Sequence, residues 1–245
     1  MTQIAELLHR RVQTNGAEPL ITYYDLGSGE RTELSAISFR NWVDKTSNLL
    51  VDEYQLEVGD VVALPLALEA PAHWVTLVWA TACWQVGAVV DLAGSAEPPR
   101  LRVLGPSQVA ALAPDELAPT GQTEVVGCSL HPLGLGFREP LPHPMVDYTL
   151  EVRSQPDIHA AAQVPEDTDA WHDNERSLTQ RELTEVDLAQ PGRRTLVRSS
   201  DPWACVRDGV VLPLLGNGSA VLVVGQEPDR LARISTDERV DPGPV

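Results

Sequence analysis

The chain has 245 residues, of which 43% are hydrophobic, and a formal net charge of −17 at pH 7. This length and apolar content are enough for one large globular domain with a substantial core. The acidic balance repels a phosphate backbone, and the arginines at 10–11 and 193–194 form only pairs, so we expect no nucleic-acid partner.

Targeting and redox signals are sparse. No run of about 18 uncharged apolar residues occurs, and "MTQIAELLHRRVQTNG" lacks a signal-peptide core, which predicts no membrane partner and a cytoplasmic location. The cysteines Cys83, Cys128 and Cys205 fit no zinc spacing and no disulfide framework. We therefore expect them as buried apolar residues.

The first hundred residues alternate between helical and strand patterns. "IAELLHRRV" predicts a short helix, and "LITYYDLGSGERTEL" predicts a β-hairpin around its Gly-Ser-Gly turn. "SFRNWVDKTSNLLVDEY", with Ser38 as N-cap, has apolar residues at three-to-four-residue spacing, which predicts an amphipathic helix.

A βαβ unit follows. "EVGDVVALPL" predicts a buried strand, the segment from Pro71 to Gly87 predicts a helix, and residues 88–92 predict a second buried strand. Two strands joined by a helix within about 30 residues predict a parallel sheet.

The remaining chain divides into an irregular part and an ordered part. In the connector, residues 101–165, prolines are frequent and only "LRVLG" and "EVVGCSL" predict strands. Beyond it, "SLTQRELTEVDLA" predicts a helix with Ser177 as N-cap, "RRTLVRSS" a strand, "DPWACVRDGVVLPLLGNG" a helix, and "SAVLVVG" a buried strand. We predict one α/β domain over residues 1–240, with lobes at about 1–100 and 166–235 and a frayed tail at 236–245.

Several of these segments resemble the N-terminal domain of adenylate-forming enzymes, the acyl-CoA synthetase or AMP-binding superfamily. "ERTELSAISFRNWVDKTSNLL", "LEVGDVVALPL" and "APAHWVTLVWATACWQVGAVV" are similar to its first helices and strands, and "SLTQREL" and "VVLPLLGNGSAVLVV" to later ones. More narrowly, the chain resembles a small actinobacterial family of truncated members. The resemblance implies layered sheets with flanking helices, in truncated form.

The same resemblance implies that residues needed for adenylation are missing from this chain. Superfamily members carry a loop rich in Gly, Ser and Thr, ending in Pro-Lys-Gly, that wraps a triphosphate before the "SLTQREL"-like helix. Here that place is "TDAWHDNER", a degenerate phosphate-loop region whose notable residues are Asp169, Trp171, His172, Asp173 and Glu175. The one lysine, Lys45, matches no catalytic position, and the chain ends before the small C-terminal domain. We therefore predict no catalytic residue and no cofactor.

Two residue groups have alternative interpretations. His172, Asp173 and Glu175, with His159, are metal-capable, but the spacing lacks paired ligands, which favours a solvated acidic turn over a metal site. Trp74, Trp79 and Trp84 recur every five residues and form no single helical stripe. They are candidate ligand-binding or interface aromatics as well as candidate core residues.

Three functional hypotheses remain open. The first is a non-catalytic, degenerate adenylate-forming domain that binds a small acyl or aromatic ligand or a protein partner. The second is a subunit of a split ligase completed in trans. The third is a structural homo-oligomer.

Overall fold

The computed structural model describes residues 3–94, 98–113, 123–161, 163–187 and 190–242. Its strands are β1 (Pro19–Asp25), β2 (Glu30–Ser35), β3 (Val61–Ala63), β4 (Val89–Asp91), β5 (Leu101–Leu104), β6 (Glu124–Gly127), β7 (Val146–Asp147), β8 (Asp169–His172), β9 (Ser177–Thr179), β10 (Arg194–Val197) and β11 (Ser219–Val224). Its helices are α1 (Ile4–Asn15), α2 (Ala36–Asn48), α3 (Leu66–Glu69), α4 (Trp74–Val86), α5 (Pro106–Ala111), α6 (Tyr148–Ser154), α7 (Pro202–Val206), α8 (Leu212–Gly216) and α9 (Pro228–Asp237). π-Helical segments follow α2 at Leu49–Glu53 and join α7 to α8 at Arg207–Val211.

A four-stranded sheet joins the two ends of the chain. Its order is β10-β11-β1-β2, in which β10, β11 and β1 are parallel and β2 is antiparallel to β1. The predicted N-terminal hairpin is thus confirmed, and it pairs with strands from the far end of the sequence. The strand order mixes residues of the two lobes that the sequence suggested.

A seven-stranded sheet holds the middle of the chain. Its order is β7-β6-β5-β3-β4-β8-β9, and only β9 is antiparallel to its neighbour. The predicted parallel βαβ unit is confirmed, since β3 and β4 pair in parallel on either side of α4 in sequence. The connector adds α5, α6 and β7 to the two strands that its sequence predicted.

Side chains on the strands alternate between layers. On β11, Ala220 and Leu222 belong to the main core, which includes residues of both sheets and of α1, α2 and α4. Val221 and Val223 point the other way and pack with Leu231 of α9. Period-two alternation in β11 therefore places one helical layer on each face of the four-stranded sheet.

Helix α4 is the most buried element of the core. All thirteen of its residues are buried, and a helix that is apolar on every side is stable only inside a protein. Gly87 ends it in the left-handed conformation, with φ of 80°, as the sequence predicted for a C-terminal glycine. The three cysteines are also buried and unpaired, as predicted. Among the described residues, no helix combines the length and hydropathy needed to cross a membrane.

The N-cap prediction for α2 is wrong by one turn. Strand β2 ends at Ser35, whose extended backbone allows the helix to begin at Ala36. The Ser35 side chain accepts a hydrogen bond from the Ser38 backbone N–H at 3.1 Å, so Ser35 is the N-cap and Ser38 lies inside the first turn.

The helix predicted from Ser177 is also wrong. Ser177–Thr179 form β9, in which Leu178 lies opposite the buried Trp171 of β8. Residues 180–184 then make turns, and Glu182 binds the N–H and hydroxyl of Thr179. Pairing with β8 outweighs the local helical pattern. The last residues of the predicted helix, 188 and 189, lie outside the described residues.

The C-terminal segment, which the sequence predicted to be a frayed tail, makes specific contacts with the rest of the protein. Glu238 accepts hydrogen bonds from Arg31 at 2.9 Å, from Tyr24 at 2.5 Å and from Arg194. Asp241 accepts from the backbone N–H of Arg194 at 2.6 Å. Residues 238–241 therefore bind the four-stranded sheet, while residues 243–245 lie outside the described residues.

We predict that Ser35→Ala lowers the free energy of unfolding by about 1 kcal/mol, because it removes the acceptor for the Ser38 N–H. Ser38→Ala is the matched control and leaves that acceptor in place, so we expect a change of only a few tenths of a kcal/mol. Urea denaturation measures both. Equal losses from the two variants would contradict the assignment of Ser35 as the cap.

Candidate functional site

A cavity of about 710 Å³ opens at the carboxyl ends of the parallel strands of the four-stranded sheet. Asp25, the last residue of β1, lies opposite Val224, the last residue of β11, and β10 is followed by Arg198, Ser199 and Ser200. Crevices outside the carboxyl ends of parallel strands are the usual ligand sites of α/β proteins. This cavity is therefore the candidate functional site.

The opposite wall comes from the segment between β3 and α4. Leu68 and Glu69 of α3 line the cavity together with the loop from Ala70 to His73. Leu130 and Pro132, after β6, complete the lining at a third side. Strands of the four-stranded sheet and segments that follow β3 and β6 of the seven-stranded sheet thus line one space, although they lie far apart in the sequence.

His73 is the most buried titratable group in the lining. It is 3% exposed, and as the N-cap of α4 its Nδ1 accepts a hydrogen bond from the Val75 N–H at 3.2 Å. Its ring packs edge-on against Tyr23, with centroids 4.9 Å apart, and stacks on Trp74 at 5.7 Å. Burial lowers the pKa of His73 to about 3, so the ring is neutral at pH 7.

The second ring nitrogen of His73 is buried and has no hydrogen-bond partner among the described residues. Because Nδ1 accepts, the neutral ring carries its hydrogen on Nε2, which makes no hydrogen bond. Oε1 of Glu30 lies 3.8 Å from Nε2, which is too far for a hydrogen bond. His73 therefore has a buried N–H donor without an acceptor at the edge of the cavity lining.

The carboxylates of the lining are bound by donors of their own chain. Asp25 accepts from the Gly27 N–H at 2.8 Å and from the Ser28 hydroxyl at 2.7 Å. Glu69 accepts from the Ser107 N–H at 2.9 Å. Burial raises the pKa of Asp25, but the bonds from Ser28 and Gly27 outweigh burial, and the net pKa is lowered. Asp25 is therefore ionised at neutral pH.

Glu30 differs from Asp25 and Glu69 because its carboxylate is largely shielded from solvent. Its side chain is 6% exposed and accepts one hydrogen bond, from the Thr32 hydroxyl at 2.8 Å. Burial raises the pKa of Glu30, and the negative charge of Asp25 raises it further, while Thr32 and His131 oppose the shift. Glu30 retains capacity to accept a second hydrogen bond from a group in the cavity.

Arg198 contributes a positive charge to the cavity lining. It is exposed, and no hydrogen bond or ion pair joins it to another residue in the described part of the chain. The Tyr23 hydroxyl likewise has no hydrogen-bond partner among the described residues. The groups of the lining that lack partners are thus mainly donors, which suits a ligand with acceptor oxygens.

The tryptophans singled out in the sequence lie in the core. Trp74, Trp79 and Trp84 are 3%, 0% and 2% exposed. Trp74 packs against Trp42, and Trp79 packs against Tyr148. None of the three is part of the cavity lining.

The region singled out as a degenerate phosphate loop is a hairpin. Asp169, Trp171 and His172 belong to β8, and four residues, 173–176, connect it to β9. Trp171 is fully buried and packs with Trp84 and with Trp203 of α7, with ring centroids 6.3 and 5.5 Å apart. His172 lies 3.6 Å from Asp169, and both are partly exposed.

Asp173 closes the turn of this hairpin. Its Oδ1 accepts from the backbone N–H groups of Glu175 at 2.8 Å and Arg176 at 2.7 Å, and its Oδ2 accepts from Nε1 of Trp171 at 2.8 Å and Nη1 of Arg176 at 2.7 Å. The backbone donors of the turn thus bind an anion that belongs to the chain itself. Among the described residues, no group of three or more His, Cys, Asp or Glu side chains is placed to hold a metal ion.

The residues of the cavity were not among those predicted from the sequence. A usable signal was present for two of them, because Asp25 and Arg198 lie towards the carboxyl ends of segments predicted to form strands, and side chains at the carboxyl ends of parallel strands meet at one edge. No comparable signal marked His73 or Glu30, which reach the cavity through a helix cap and a hairpin.

We predict that Asp173→Ala lowers the free energy of unfolding by about 2–3 kcal/mol at pH 7, because the buried Trp171 N–H loses its acceptor. Burial raises the pKa of Asp173, but hydrogen bonds from Trp171, Glu175 and Arg176 outweigh it and lower the net pKa. A lowered pKa stabilises the fold above the ordinary value of about 4, and that stabilisation is lost as the pH falls through the folded value.

Urea denaturation of Asp173→Ala and the unsubstituted chain at pH 7, 5 and 3 tests this, and their difference is expected to narrow only below about pH 4. Glu175→Ala is the control, since that side chain is 73% exposed and its one ion pair among the described residues is with Arg176, so we expect a loss below about 0.5 kcal/mol. A loss for Asp173→Ala no greater than for Glu175→Ala would contradict the role of Asp173.

Structures of acyl-CoA synthetases and CoA ligases share this fold. An acyl-CoA synthetase from Brucella canis is 16% identical with a TM-score of 0.70, and the match covers 98% of this chain and 46% of that one. The N-terminal domain of FACL13 from Mycobacterium tuberculosis is 13% identical with a TM-score of 0.64, covering 98% and 62%. A benzoate CoA ligase from Burkholderia xenovorans is 13% identical with a TM-score of 0.67, covering 96% and 48%.

These matches confirm the α/β fold that the resemblance to adenylate-forming enzymes implied, and the chain spans less than two thirds of each of these structures. No protein-family profile matches the chain. A TIGR03089 family protein from Mycobacterium tuberculosis is 31% identical over 256 residues, a match that covers 96% of this chain and 94% of that protein. Because this relative aligns along nearly the whole length of both proteins, the chain belongs to the TIGR03089 family.

Proposed function

We propose that this chain binds a small organic carboxylic acid in the cavity and does not itself form an acyl-adenylate. The observation that carries the proposal is the partnerless guanidinium of Arg198 at a cavity whose carboxylates are held by donors of their own chain. A ligand carboxylate matches a free guanidinium, because the two form paired charge-assisted hydrogen bonds.

The size and the apolar part of the cavity support an organic ligand. The volume of 710 Å³ lies in the range of about 300–1,000 Å³ that is typical of small-molecule sites. Leu68, Leu130 and Val224 provide apolar surface beside the polar groups. An acyl chain or an aromatic ring would be buried against these residues.

The names of the structural neighbours agree with this ligand class. They include an acyl-CoA synthetase and a benzoate CoA ligase, names that refer to acyl groups and to benzoate. At 13–16% identity these neighbours share the fold alone, so their substrates enter here only as support for the proposal.

The hairpin after β8 argues against nucleotide chemistry by this chain. A phosphate loop binds its ligand with free backbone N–H groups, but here the N–H groups of Glu175 and Arg176 bind the Asp173 carboxylate. A phosphate would have to displace an anion that is covalently part of the turn. Lys45 is also engaged, since its ammonium lies 2.8 Å from Asp157 and hydrogen-bonds the Gln155 carbonyl.

We predict that Arg198→Gln weakens the binding of carboxylic acids about 10- to 100-fold, the loss expected when a hydrogen-bonded charge pair is removed. Isothermal titration calorimetry with benzoate and with straight-chain fatty acids of four to eight carbons measures this. Arg233→Gln is the matched control, because Arg233 is exposed on α9 away from the cavity lining. Failure of every acid to bind the unsubstituted chain, or equal binding to both variants, would overturn the proposal.

We further predict that ATP–pyrophosphate exchange stays at background with the purified chain and the same acids. Exchange above background would contradict the absence of adenylation. Exchange that appears only when a second protein fraction from the native host is added would favour the split ligase instead.

A further inference from the structure

A cavity of about 300 Å³, separate from the candidate functional site, is lined by α1, α2, the end of α4 and the segment before β8. Its lining shares no residue with that of the larger cavity. Ala5, Leu8 and Ala161 give it apolar surface. Its polar lining residues are Glu6, His9, Arg40, Asp44, Gln85 and His159. The volume is at the lower end of the range of about 300–1,000 Å³ for small-molecule sites, so this cavity suits a ligand of only a few heavy atoms.

Gln85, near the end of α4, has a carbonyl oxygen without a partner. The residue is 5% exposed, and its Nε2 donates to Oδ1 of Asp44 at 2.9 Å and to the Ser47 hydroxyl at 3.2 Å. Because a carboxylate can only accept, these bonds fix the orientation of the amide. Oε1 is then an acceptor with no hydrogen-bond partner in the described part of the chain. Unlike Nε2 of His73, Oε1 is not fully enclosed by protein atoms, so a ligand in the cavity can reach it.

His159 contributes another acceptor. The Asn48 side chain donates from Nδ2 to two backbone carbonyls, at 3.0 and 3.1 Å, so its Oδ1 is the acceptor. Nδ1 of His159 lies 2.7 Å from that oxygen and therefore carries a hydrogen, which leaves the lone pair of the neutral ring on Nε2. Burial lowers the pKa of His159, although Asp44 and Asp52 oppose the shift, so the ring is neutral at pH 8. Nε2 has no hydrogen-bond partner among the residues that the structure describes.

The charged residues of the lining leave one negative charge unpaired. Arg40 and Asp44 form an ion pair, with Nε 3.2 Å from Oδ2. Nη1 of Arg40 donates to Nδ1 of His9 at 3.3 Å, because a guanidinium has no lone pair. The remaining N–H groups of these two residues belong to side chains that solvent reaches. The Glu6 carboxylate has no hydrogen bond or ion pair within the described ranges, so the cavity attracts a cation when both histidines are neutral.

The ammonium group of a primary amine matches these features. It carries a positive charge and three N–H donors and has no lone pair, so it can donate to two neutral acceptors and a carboxylate at once. An alcohol has one hydrogen and no charge, and a quaternary ammonium has a charge but no N–H. A metal ion is a poorer match, because no group of three or more His, Cys, Asp or Glu side chains in the described ranges is placed to hold one.

We propose that this cavity binds a small aliphatic primary amine in its ammonium form, which donates to Oε1 of Gln85, Nε2 of His159 and the carboxylate of Glu6. The alkyl part of the amine packs against Ala5 and Leu8. The site is independent of the proposed function, because its lining is separate from the cavity that contains Arg198.

A ¹H–¹⁵N NMR titration with n-butylamine at pH 8 tests the proposal, because it gives both an affinity and a location. Alkylamines are protonated at this pH, since their pKa, like that of lysine, is above about 10. We expect saturable shifts of the backbone amides of Glu6, Arg40 and Gln85. n-Butanol and tetramethylammonium, which have the same number of heavy atoms, lack the charge and the N–H donors respectively. Each is expected to bind at least about 10-fold more weakly.

Three variants assign the binding to the named groups. Gln85→Met removes the carbonyl at similar volume and is expected to weaken n-butylamine binding about 10-fold. Because it also removes a donor to Asp44, thermal denaturation checks its folding, and His159→Phe, with the same expected loss, leaves that donor in place. Glu6→Gln removes only the charge of an exposed side chain and is expected to cost about 3-fold. Glu57→Gln is the matched control, since Glu57 is exposed and lies outside the lining.

Several results would overturn the proposal. One is the absence of saturable binding, or equal affinity for n-butylamine, n-butanol and tetramethylammonium. Another is a set of shifts confined to residues of the larger cavity. Unchanged affinity in folded Gln85→Met and His159→Phe would show that these acceptors do not hold the amine. Equal losses from Glu57→Gln and Glu6→Gln would show that net charge, and not this cavity, attracts the cation.

Discussion

The burial of α4 on every side is the constraint on which the rest of the structure depends. A thirteen-residue helix without a polar face has to be covered all round, and both sheets contribute residues to the core that covers it. The burial of α4 also fixes the position of the residues at its two ends. The first end is capped by His73 at the cavity, and near the other end Trp84 packs against Trp171 of the β8–β9 hairpin. One buried helix thus positions both the candidate site and the region where phosphate chemistry would be expected.

The acidic net charge of the chain does not mean that the cavity is lined by free carboxylates. Acidic side chains outnumber basic ones by 35 to 18, yet the carboxylates near the cavity are bound by serine, threonine and backbone donors of their own chain. Asp173 shows the same behaviour, since its oxygens bind the donors of its own turn. Among the described residues of the cavity lining, the groups without partners include the Nε2–H of His73, the Tyr23 hydroxyl and the guanidinium of Arg198. An acidic protein can therefore leave donors rather than carboxylates unpaired at a cavity.

The sequence predicted elements whose signals are local. The Gly-Ser-Gly hairpin, the βαβ unit and the glycine that ends α4 each depend on neighbouring residues, and all three are confirmed. The helix predicted at Ser177 failed because Leu178 pairs across a hairpin with Trp171, which a local pattern does not reveal. The cavity was missed for a similar reason. Tyr23, His73 and Arg198 come together only through a strand order that the sequence did not provide.

The pairing of β1 with β11 also has a consequence for how the protein is made. Thr22 lies opposite Val221, so strands roughly 200 residues apart form adjacent rows of one sheet, a contact of high sequence separation that forms slowly. During synthesis the β1 edge of the N-terminal hairpin therefore stays unpaired until almost all of the chain has left the ribosome. The cavity at the end of β1 is therefore completed last, and a chain that is interrupted before β11 has an unpaired edge on β1 and an incomplete cavity lining.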